Sequence, residues 1–149
     1  MENLKEIKKV LDSRIISSEF TDLKTLLYWF GDLKIQDIEK HIGFEDETYC
    51  RIPLIAVDQY ELLLCCWKPG QESPFHGHPD KGCLVKILQG TLSEERKFTN
   101  GRTAVREISV NDVGYITDKI GIHRVSNNTK ENAVSLHLYA PGGYRPNFQ

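Results

Sequence analysis

Residues 1–45 carry apolar side chains at the spacing of amphipathic helices. Apolar residues recur three or four positions apart, with polar residues between them, in two groups: Leu4, Ile7 and Leu11, and then Leu23, Leu26, Leu27 and Phe30. This period places the apolar side chains on one face of each helix. We predict that Thr21 or Ser18 caps the second helix and that Gly31 ends it. With a weaker third segment at 35–42, these patterns predict a helical layer docked on the rest of the domain.

From Tyr49 onward the hydrophobic pattern changes to the short runs of β-strands. The runs that predict strands are 60–67, 83–90, 91–98, 103–110, 114–117, 123–127 and 133–140. Asn100–Gly101 lies between two of them and is a strong hairpin signal. Many short strands without intervening helices indicate an antiparallel sandwich or small barrel. We therefore predict a mostly β protein with one domain over 1–149, a helical layer at 1–45 and a β-barrel at 49–141.

The composition is that of an ordinary globular domain. Of the 149 residues, 40% are hydrophobic and 27% are charged, and the formal net charge is −2. A nucleic-acid-binding protein normally concentrates positive charge, so we expect no nucleic-acid partner. The N-terminal segment lacks the apolar region of a signal peptide, and no apolar run reaches membrane-spanning length. We expect a cytoplasmic protein without a membrane partner and, in the absence of a coiled-coil pattern, a monomer.

The cysteines do not follow the spacing of a disulfide framework or a zinc finger. They stand at 50, 65, 66 and 83, and none forms a Cys-x-x-Cys pair. Without a secretory context, reduced thiols are expected. We interpret Cys65 and Cys66 as core residues of a strand.

Three histidines of the β region carry the first chemical signal. His76 and His78 are two residues apart, so on an extended strand both imidazoles point to the same face. Such a pair can share one metal ion, and His123 can supply a third nitrogen from another strand. The pair alone is a weak signal, because a buried histidine is more often a hydrogen-bonded core residue. Imidazole binds Fe, Cu, Ni and Zn alike, so the residues themselves leave the metal open.

The residues around the histidine pair extend the pattern. Gly70 precedes the pair, and Cys83 and Gly90 follow it. This order resembles the first motif of the cupins, in which glutamate usually stands where this chain has Cys83. The second cupin motif is present in part, since His123 and Asn127 keep its spacing without its usual proline. The resemblance implies the cupin double-stranded β-helix, a jelly-roll-like barrel. A metal held there by three imidazoles and no carboxylate keeps its full charge for anionic ligands such as a thiolate.

Longer segments resemble the cysteine dioxygenases, the mononuclear non-haem iron members of the cupins. The matching segments are YCRIPL at 49–54, the stretch at 62–92, GIHRVSN at 121–127 and AVSLHLYAP at 133–141. The resemblance implies that His76, His78 and His123 are the ligands of an Fe(II) cofactor. It also implies that Arg51 pairs with the carboxylate of the substrate and that Tyr49 supports this contact. An arginine suits this role because its guanidinium forms a bidentate fork with a carboxylate.

The resemblance extends to a second group of residues around the last predicted strand. Cys83 and Tyr139 match the two residues that form a thioether bond in many members. Ser135 and His137 match the hydroxyl and imidazole that hydrogen-bond toward that tyrosine. The spacing of two between Ser135, His137 and Tyr139 agrees with this, because a strand presents such residues on one face. A Ser–His–Tyr row of this kind can pass hydrogen bonds along its length.

The function implied by the resemblance is the oxidation of L-cysteine by O2 to cysteine sulfinic acid, a step of cysteine catabolism. One alternative is a dioxygenase for 3-mercaptopropionate or another small thiol. Related enzymes of that kind typically carry glutamine where Arg51 stands, so Arg51 favours cysteine. The other alternative is a non-enzymatic metal-binding cupin, which would bind metal without turning over a thiol.

The segment after the last predicted strand is short. Ten residues follow Tyr139, where members of the family commonly have a longer extension. We expect a more open pocket, or one closed by Tyr144 and the N-terminal helices.

Overall fold

The computed structural model describes residues 1–143, and its strands form two antiparallel sheets. The strands are β1 Cys50–Ala56, β2 Glu61–Trp67, β3 Cys83–Gln89, β4 Thr91–Phe98, β5 Thr103–Ser109, β6 Val113–Ile116, β7 Gly121–Ser126 and β8 Ala133–Tyr139. The order is β1-β2-β8-β3-β6 in the larger sheet and β5-β4-β7 in the smaller one. The predicted strands are confirmed, with ends that move by one or two residues.

Alternation along the strands divides the larger sheet into two faces. On β8, the even-numbered Val134, Leu136 and Leu138 join the core under the helices. On the other face, Tyr139 packs with residues of both sheets in a second core between them. A period of two places Ser135 and His137 on the same face as Tyr139. The polar row of the last strand therefore lies in the space between the sheets.

The helical layer begins as predicted with α1, Leu4–Ile15, which buries Ile7, Leu11 and Ile15. The second segment is a 3₁₀ turn at Leu23–Leu26 that continues into α2, Leu27–Asp32. The third contains one 3₁₀ turn, Ile38–His41. The apolar face of this layer packs against the larger sheet in the first core.

Both predicted ends of the second helix are wrong. The N-cap is Asp22, whose carboxylate accepts the backbone N–H of Lys24 at 2.9 Å, so neither Thr21 nor Ser18 caps the helix. The helix ends after Gly31, at Asp32. The ammonium group of the buried Lys86 donates to the carbonyls of Gly31 and Leu33, at 2.7 and 2.6 Å. The last carbonyls thus find a donor on a neighbouring strand, and no glycine cap is needed.

The hairpin between β4 and β5 lies where Asn100–Gly101 predicts it. Lys97 pairs with Thr103, and Gly101 has a φ of +87°, a left-handed conformation that glycine adopts without strain.

The four cysteines, all within the described residues, are free thiols, and Cys65 and Cys66 are buried in β2 as expected. None of the helices in residues 1–143 has the length and apolar character needed to cross a bilayer.

Candidate active site

The three predicted metal ligands converge between the sheets. His76 and His123 form an isolated antiparallel bridge, in which each backbone N–H donates to the carbonyl of the other, at 3.0 and 3.2 Å. His78 follows two residues later, and one ligand atom from each of the three lies within 4.8 Å of the others. The His-x-His segment lies between β2 and β3, outside the regular strands. The bridge at His76, rather than a regular strand, brings the imidazoles together.

The hydrogen bonds of the cluster leave nitrogen atoms directed at its centre. His76 Nδ1 lies 2.9 Å from the carbonyl of Pro74, and His123 Nδ1 lies 2.9 Å from Glu94 Oε2. With these nitrogens donating, the Nε2 atoms of His76 and His123 present their lone pairs to each other at 3.1 Å. A cation between them would bind both lone pairs.

The buried ring nitrogens of His78 independently indicate a cation site. Its side chain is buried, and neither ring nitrogen has a hydrogen-bond partner within residues 1–143. The Asp118 carboxylate, which accepts the backbone N–H of His78, lies 3.6 Å from Nδ1, too far for a hydrogen bond. Leaving a buried polar atom unpaired costs about 1–3 kcal/mol, so a ligand is the natural partner for this imidazole. The residues present fit a divalent metal ion.

Burial also keeps these imidazoles in the form that binds metal. Desolvation, with the charge of His123 next in importance, lowers the pKa of His76 to about 4 and that of His78 to about 2. Both are therefore neutral at neutral pH. A metal competes with no proton for a neutral imidazole, so the cluster is ready for binding.

The predicted row on β8 is a continuous chain of hydrogen bonds. Ser135 Oγ lies 2.7 Å from His137 Nε2, and His137 Nδ1 lies 3.3 Å from the hydroxyl of Tyr139. The indole N–H of Trp67 donates to Ser135 Oγ at 3.0 Å. Ser135 is fully buried, and His137 Nε2 is the acceptor available to its hydroxyl hydrogen within residues 1–143, so with the indole donating to Oγ the serine donates to His137 Nε2. His137 then carries its proton on Nδ1 and donates it to Tyr139, whose hydroxyl hydrogen is left for a partner outside the row.

Burial makes the row electrically neutral. It lowers the pKa of His137 well below the usual range of histidine and raises the pKa of Tyr139 well above the usual range of tyrosine. The imidazole and the phenol thus keep one protonation state through the neutral pH range. This constancy allows the hydrogen bonds to run in a single direction.

Cys83 and Tyr139 are directly opposite each other on β3 and β8. Both side chains face the space between the sheets. Burial raises the pKa of the Cys83 thiol, which donates to the carbonyl of Leu84 at 3.6 Å, and the neighbouring Tyr139 partly offsets this effect. The thiol is therefore a neutral neighbour of the phenol.

Arg51 and Tyr49 approach the same space from β1 and the residue before it. The Arg51 side chain is exposed, and its guanidinium forms no hydrogen bond or ion pair within residues 1–143. Its charge nevertheless acts on Tyr139, Cys65 and Tyr49. The ring of Tyr49 stacks on Trp67, with centroids 4.2 Å apart and planes inclined by 10°. A free cation at the edge of the site is available to an anionic ligand.

Sequence reasoning missed two residues that support the site. Trp67 stands inside a segment that carries the family resemblance, and only the fold shows that it donates to Ser135. Glu94 is one of two adjacent glutamates on β4, and the alternation of that strand was the available signal, since it turns only Glu94 inward. Burial raises the pKa of this carboxyl, but the hydrogen bonds and charges of His123 and Arg96 together outweigh that effect and hold the pKa below the usual range. Tyr144, which the sequence suggested as a residue that closes the pocket, lies outside the described residues.

A family model with the description "Cysteine dioxygenase type I" matches residues 32–145, which is most of the chain. The chain belongs to the cysteine dioxygenase type I family. The resemblance of the sequence segments to this family is thereby confirmed.

Individual members of the cysteine dioxygenase family match shorter stretches. Cysteine dioxygenase type 1 of Danio rerio is 37% identical over 119 residues, which cover 71% of this chain and 58% of that protein. The Rattus norvegicus protein of the same name is 40% identical over 91 residues, which cover 56% of this chain and 46% of that protein. The chain spans about half the length of the curated relatives it matches.

Solved structures confirm the expected fold. A Klebsiella pneumoniae protein with a double-stranded β-helix domain matches with a TM-score of 0.65 and 15% identity, covering 78% of this chain and 97% of that chain. Oxalate decarboxylase of Bacillus subtilis matches with a TM-score of 0.62 and 18% identity, covering 74% of this chain and 30% of that chain. At these identities the likeness concerns the fold alone, which is the cupin double-stranded β-helix with helices added at the N-terminus.

Proposed function

We propose that this chain is an Fe(II)-dependent cysteine dioxygenase that oxidises L-cysteine with O2 to cysteine sulfinic acid. The observation that carries the proposal is one arrangement: three imidazoles converge beside a guanidinium without a hydrogen bond or ion pair in residues 1–143 and a protonated phenol. A thiol that also carries a carboxylate matches each of these groups. Family membership supports iron as the metal.

His76, His78 and His123 would hold the metal. When bound, Fe(II) brings the thiolate and O2 together in a fixed geometry and lowers the pKa of the thiol. The three ligand residues themselves contribute no negative charge, because each offers an imidazole and none a carboxylate. This neutrality favours an anionic sulfur over a neutral ligand.

Arg51 binds the carboxylate of L-cysteine in this proposal. Its guanidinium has no competing partner within residues 1–143 and lies where its charge reaches Tyr139 and Tyr49. Two parallel N–H···O bonds fix the orientation of a carboxylate as well as its position. Tyr49, held flat against Trp67, limits the space beside the bound amino acid.

Tyr139 holds a proton at its hydroxyl oxygen and directs it toward the reacting groups. The row Trp67, Ser135 and His137 supplies the hydrogen bond from His137 that frees this proton. Both oxygen atoms of O2 end on the cysteine sulfur, so thiol plus O2 gives the sulfinic acid without another reductant. The residues of the row need only position this proton, since none of them is consumed.

We include a thioether bond between Cys83 and Tyr139 in the proposal. Their directly opposed positions on neighbouring strands and the burial of both side chains in the space between the sheets support it. Forming the carbon–sulfur bond removes the thiol hydrogen and one ring hydrogen, with O2 as the oxidant. Mass spectrometry of the aerobically reacted protein should show the loss of two hydrogens, and Cys83→Gly should abolish that loss.

The decisive experiment is O2 uptake by protein loaded anaerobically with Fe(II). L-Cysteine and 3-mercaptopropionate are supplied in parallel, with metal-free protein as the control, and the products are identified by mass. Sulfinate from L-cysteine supports the proposal. Turnover of 3-mercaptopropionate alone contradicts the substrate assignment, and absence of uptake despite bound iron contradicts the activity.

We further propose a monomeric protein of the cytoplasm. The four free thiols support a reducing environment. Light scattering on the purified chain should give a mass close to 17.1 kDa. A mass twice as large would contradict the monomer.

A further inference from the structure

We infer that Glu94 is a positioning residue of the metal centre, which orients His123 and strengthens its donation to the metal. Arg96 and Arg106 set how much of the carboxylate charge reaches that imidazole. The inference rests on the proposed metal site and concerns residues on the opposite sheet from the Ser–His–Tyr row.

The position of Glu94 follows from the three-stranded sheet. β4 is the central strand, and Glu94 is directly opposite Val125 on β7 and Arg106 on β5. Strand alternation turns Glu94 and Arg96 to the inner face together with His123. The Glu94 side chain is only 4% exposed. A carboxylate is thereby buried directly behind one of the three imidazoles.

Both oxygens of this carboxylate are occupied. Oε2 accepts from His123 Nδ1 at 2.9 Å. Oε1 accepts from Arg96 Nε at 3.0 Å and from Arg106 Nε at 2.9 Å. Removing a carboxylate from water costs several kcal/mol, and these partners offset that cost. Because each oxygen has its own partners, the carboxylate has one orientation, and so has the imidazole ring it holds.

The hydrogen bond to Glu94 distinguishes His123 from the other two imidazoles. His76 Nδ1 donates to a neutral carbonyl, that of Pro74. His78 has no ring hydrogen bond within residues 1–143. A carboxylate that accepts the N–H of a metal-bound histidine fixes its tautomer and raises the basicity of its other nitrogen. His123 is therefore the strongest of the three donors.

The same network compensates for the departure at Cys83. In the cupin pattern a glutamate occupies that position, whereas this chain has a buried thiol there. In this chain the negative charge next to the histidine cluster is the Glu94 carboxylate, which is one hydrogen bond away from His123. Two arginines, Arg96 and Arg106, share that charge. The metal thus gains electron density through His123 without losing a coordination position to a carboxylate.

Metal affinity tests this role, with the adjacent glutamate as a matched control. Glu94→Gln and Glu95→Gln each remove one negative charge from β4, but Glu95 faces outward and pairs with Arg124. The dissociation constant for Co(II) is measured anaerobically with a competing chelator, followed by that for Fe(II). Glu94→Gln should weaken both by about 10- to 100-fold. Glu95→Gln should match the wild type.

The reduction potential of the bound iron separates tuning from a merely structural role. Glu94→Gln withdraws charge from His123 and should raise the potential. Arg106→Gln keeps the carboxylate and removes a half-exposed partner, 52% exposed, so more charge reaches His123 and the potential should fall. If the carboxylate charge tunes the iron, the two variants shift the reduction potential in opposite directions. If the substitutions only loosen the network, both variants shift the potential in the same direction.

Each outcome decides the inference. An unchanged affinity and potential in Glu94→Gln, or shifts of the same sign in both variants, would overturn it. If Glu94→Gln does not fold, Arg106→Gln decides the inference alone. A lower reduction potential of its bound iron supports the inference, and an unchanged potential overturns it. A wild type that binds no metal overturns the metal site and this role together. A wild type that binds metal but oxidises no thiol contradicts only the proposed activity.

Discussion

Two hydrogen-bond networks lie behind the candidate site, one on each sheet, and they differ in charge. On the larger sheet, the row from Trp67 through Ser135 and His137 to Tyr139 contains neutral groups. On the smaller sheet, Glu94 joins His123 to two arginines in an ionic network. Each network contains an imidazole, but His137 hydrogen-bonds to Tyr139, whereas His123 is a proposed metal ligand.

The difference teaches how a fold separates the control of protons from the control of metal charge. The neutral row has a fixed direction because the indole at its start only donates and the buried Ser135 hydroxyl has His137 Nε2 as its acceptor within residues 1–143. It therefore determines where the proton of Tyr139 points. An ionic network instead supplies electron density to a donor atom. Placing the two on opposite sheets allows each to be changed without the other.

Removing the imidazole at the end of the ionic network should have the largest effect. His123→Ala deletes one of three ligand atoms that lie within 4.8 Å of each other and leaves the Glu94 carboxylate without its histidine. We expect no stoichiometric Co(II) or Fe(II) binding and no thiol-dependent O2 uptake. Metal analysis after gel filtration measures this directly. Retention of one tightly bound metal would contradict the assigned ligand set.

Arg51 belongs to neither network, so its removal should weaken substrate binding and leave metal binding unchanged. Arg51→Ala removes two charge-assisted hydrogen bonds to a carboxylate and should raise the KM for L-cysteine by about 100-fold. Cysteamine, which lacks a carboxylate, should lose little. Metal affinity should stay at the wild-type value. Equal losses for the two thiols would exclude the carboxylate contact.

Removing the hydroxyl at the end of the neutral row should have a smaller effect, and it should act on kcat. Tyr139→Phe removes the hydroxyl that receives the hydrogen bond of His137. We expect kcat to fall by about fivefold, since one neutral hydrogen bond is worth about 1 kcal/mol. Co(II) affinity should not change, because within residues 1–143 the hydrogen bonds of the row do not reach the three ligands. A matching loss of metal affinity would show that the two networks are not separate.

The smallest effect concerns the pH dependence of stability. Burial lowers the pKa of His137 well below 6.5, so the folded chain keeps it neutral while the unfolded chain takes up a proton below that pH. The unfolded state then binds more protons, and the free energy of unfolding falls as the pH decreases from 6.5. For one group the slope is at most about 1.4 kcal/mol per pH unit. Above pH 6.5 this contribution is complete and constant.

Urea unfolding of metal-free protein between pH 7 and 5 measures this slope, with His137→Gln as the control. The variant should lose less stability with decreasing pH than the wild type. Parallel curves would mean that His137 does not stay neutral in the folded chain. This range lies above the ordinary pKa of glutamate, 4.5, so Glu94 stays ionised. His76 and His78, whose pKa values burial also lowers, contribute equally to both proteins, so the difference between the two curves belongs to His137.

Local patterns in the sequence predicted the parts of the site that a single element presents. The period of two along β8 turned Ser135, His137 and Tyr139 to one face, and the helical period of α1 buried Ile7 and Leu11. These predictions held because the direction of a side chain within a helix or strand depends on the backbone of that element. The family resemblance identified the histidines that the fold brings together.

Only the tertiary structure decided the contacts between distant elements. His76 and His123 are 47 residues apart and meet through a backbone bridge, and Trp67 donates to Ser135 across 68 residues. In the same way Lys86 binds the end of α2, and Glu94 lies behind His123. These partners depend on strand order and register, which arise when the two cores pack together and which no local periodicity contains. The sequence by itself determined which side chains face inward, and the packing of the two sheets determined what each of them meets.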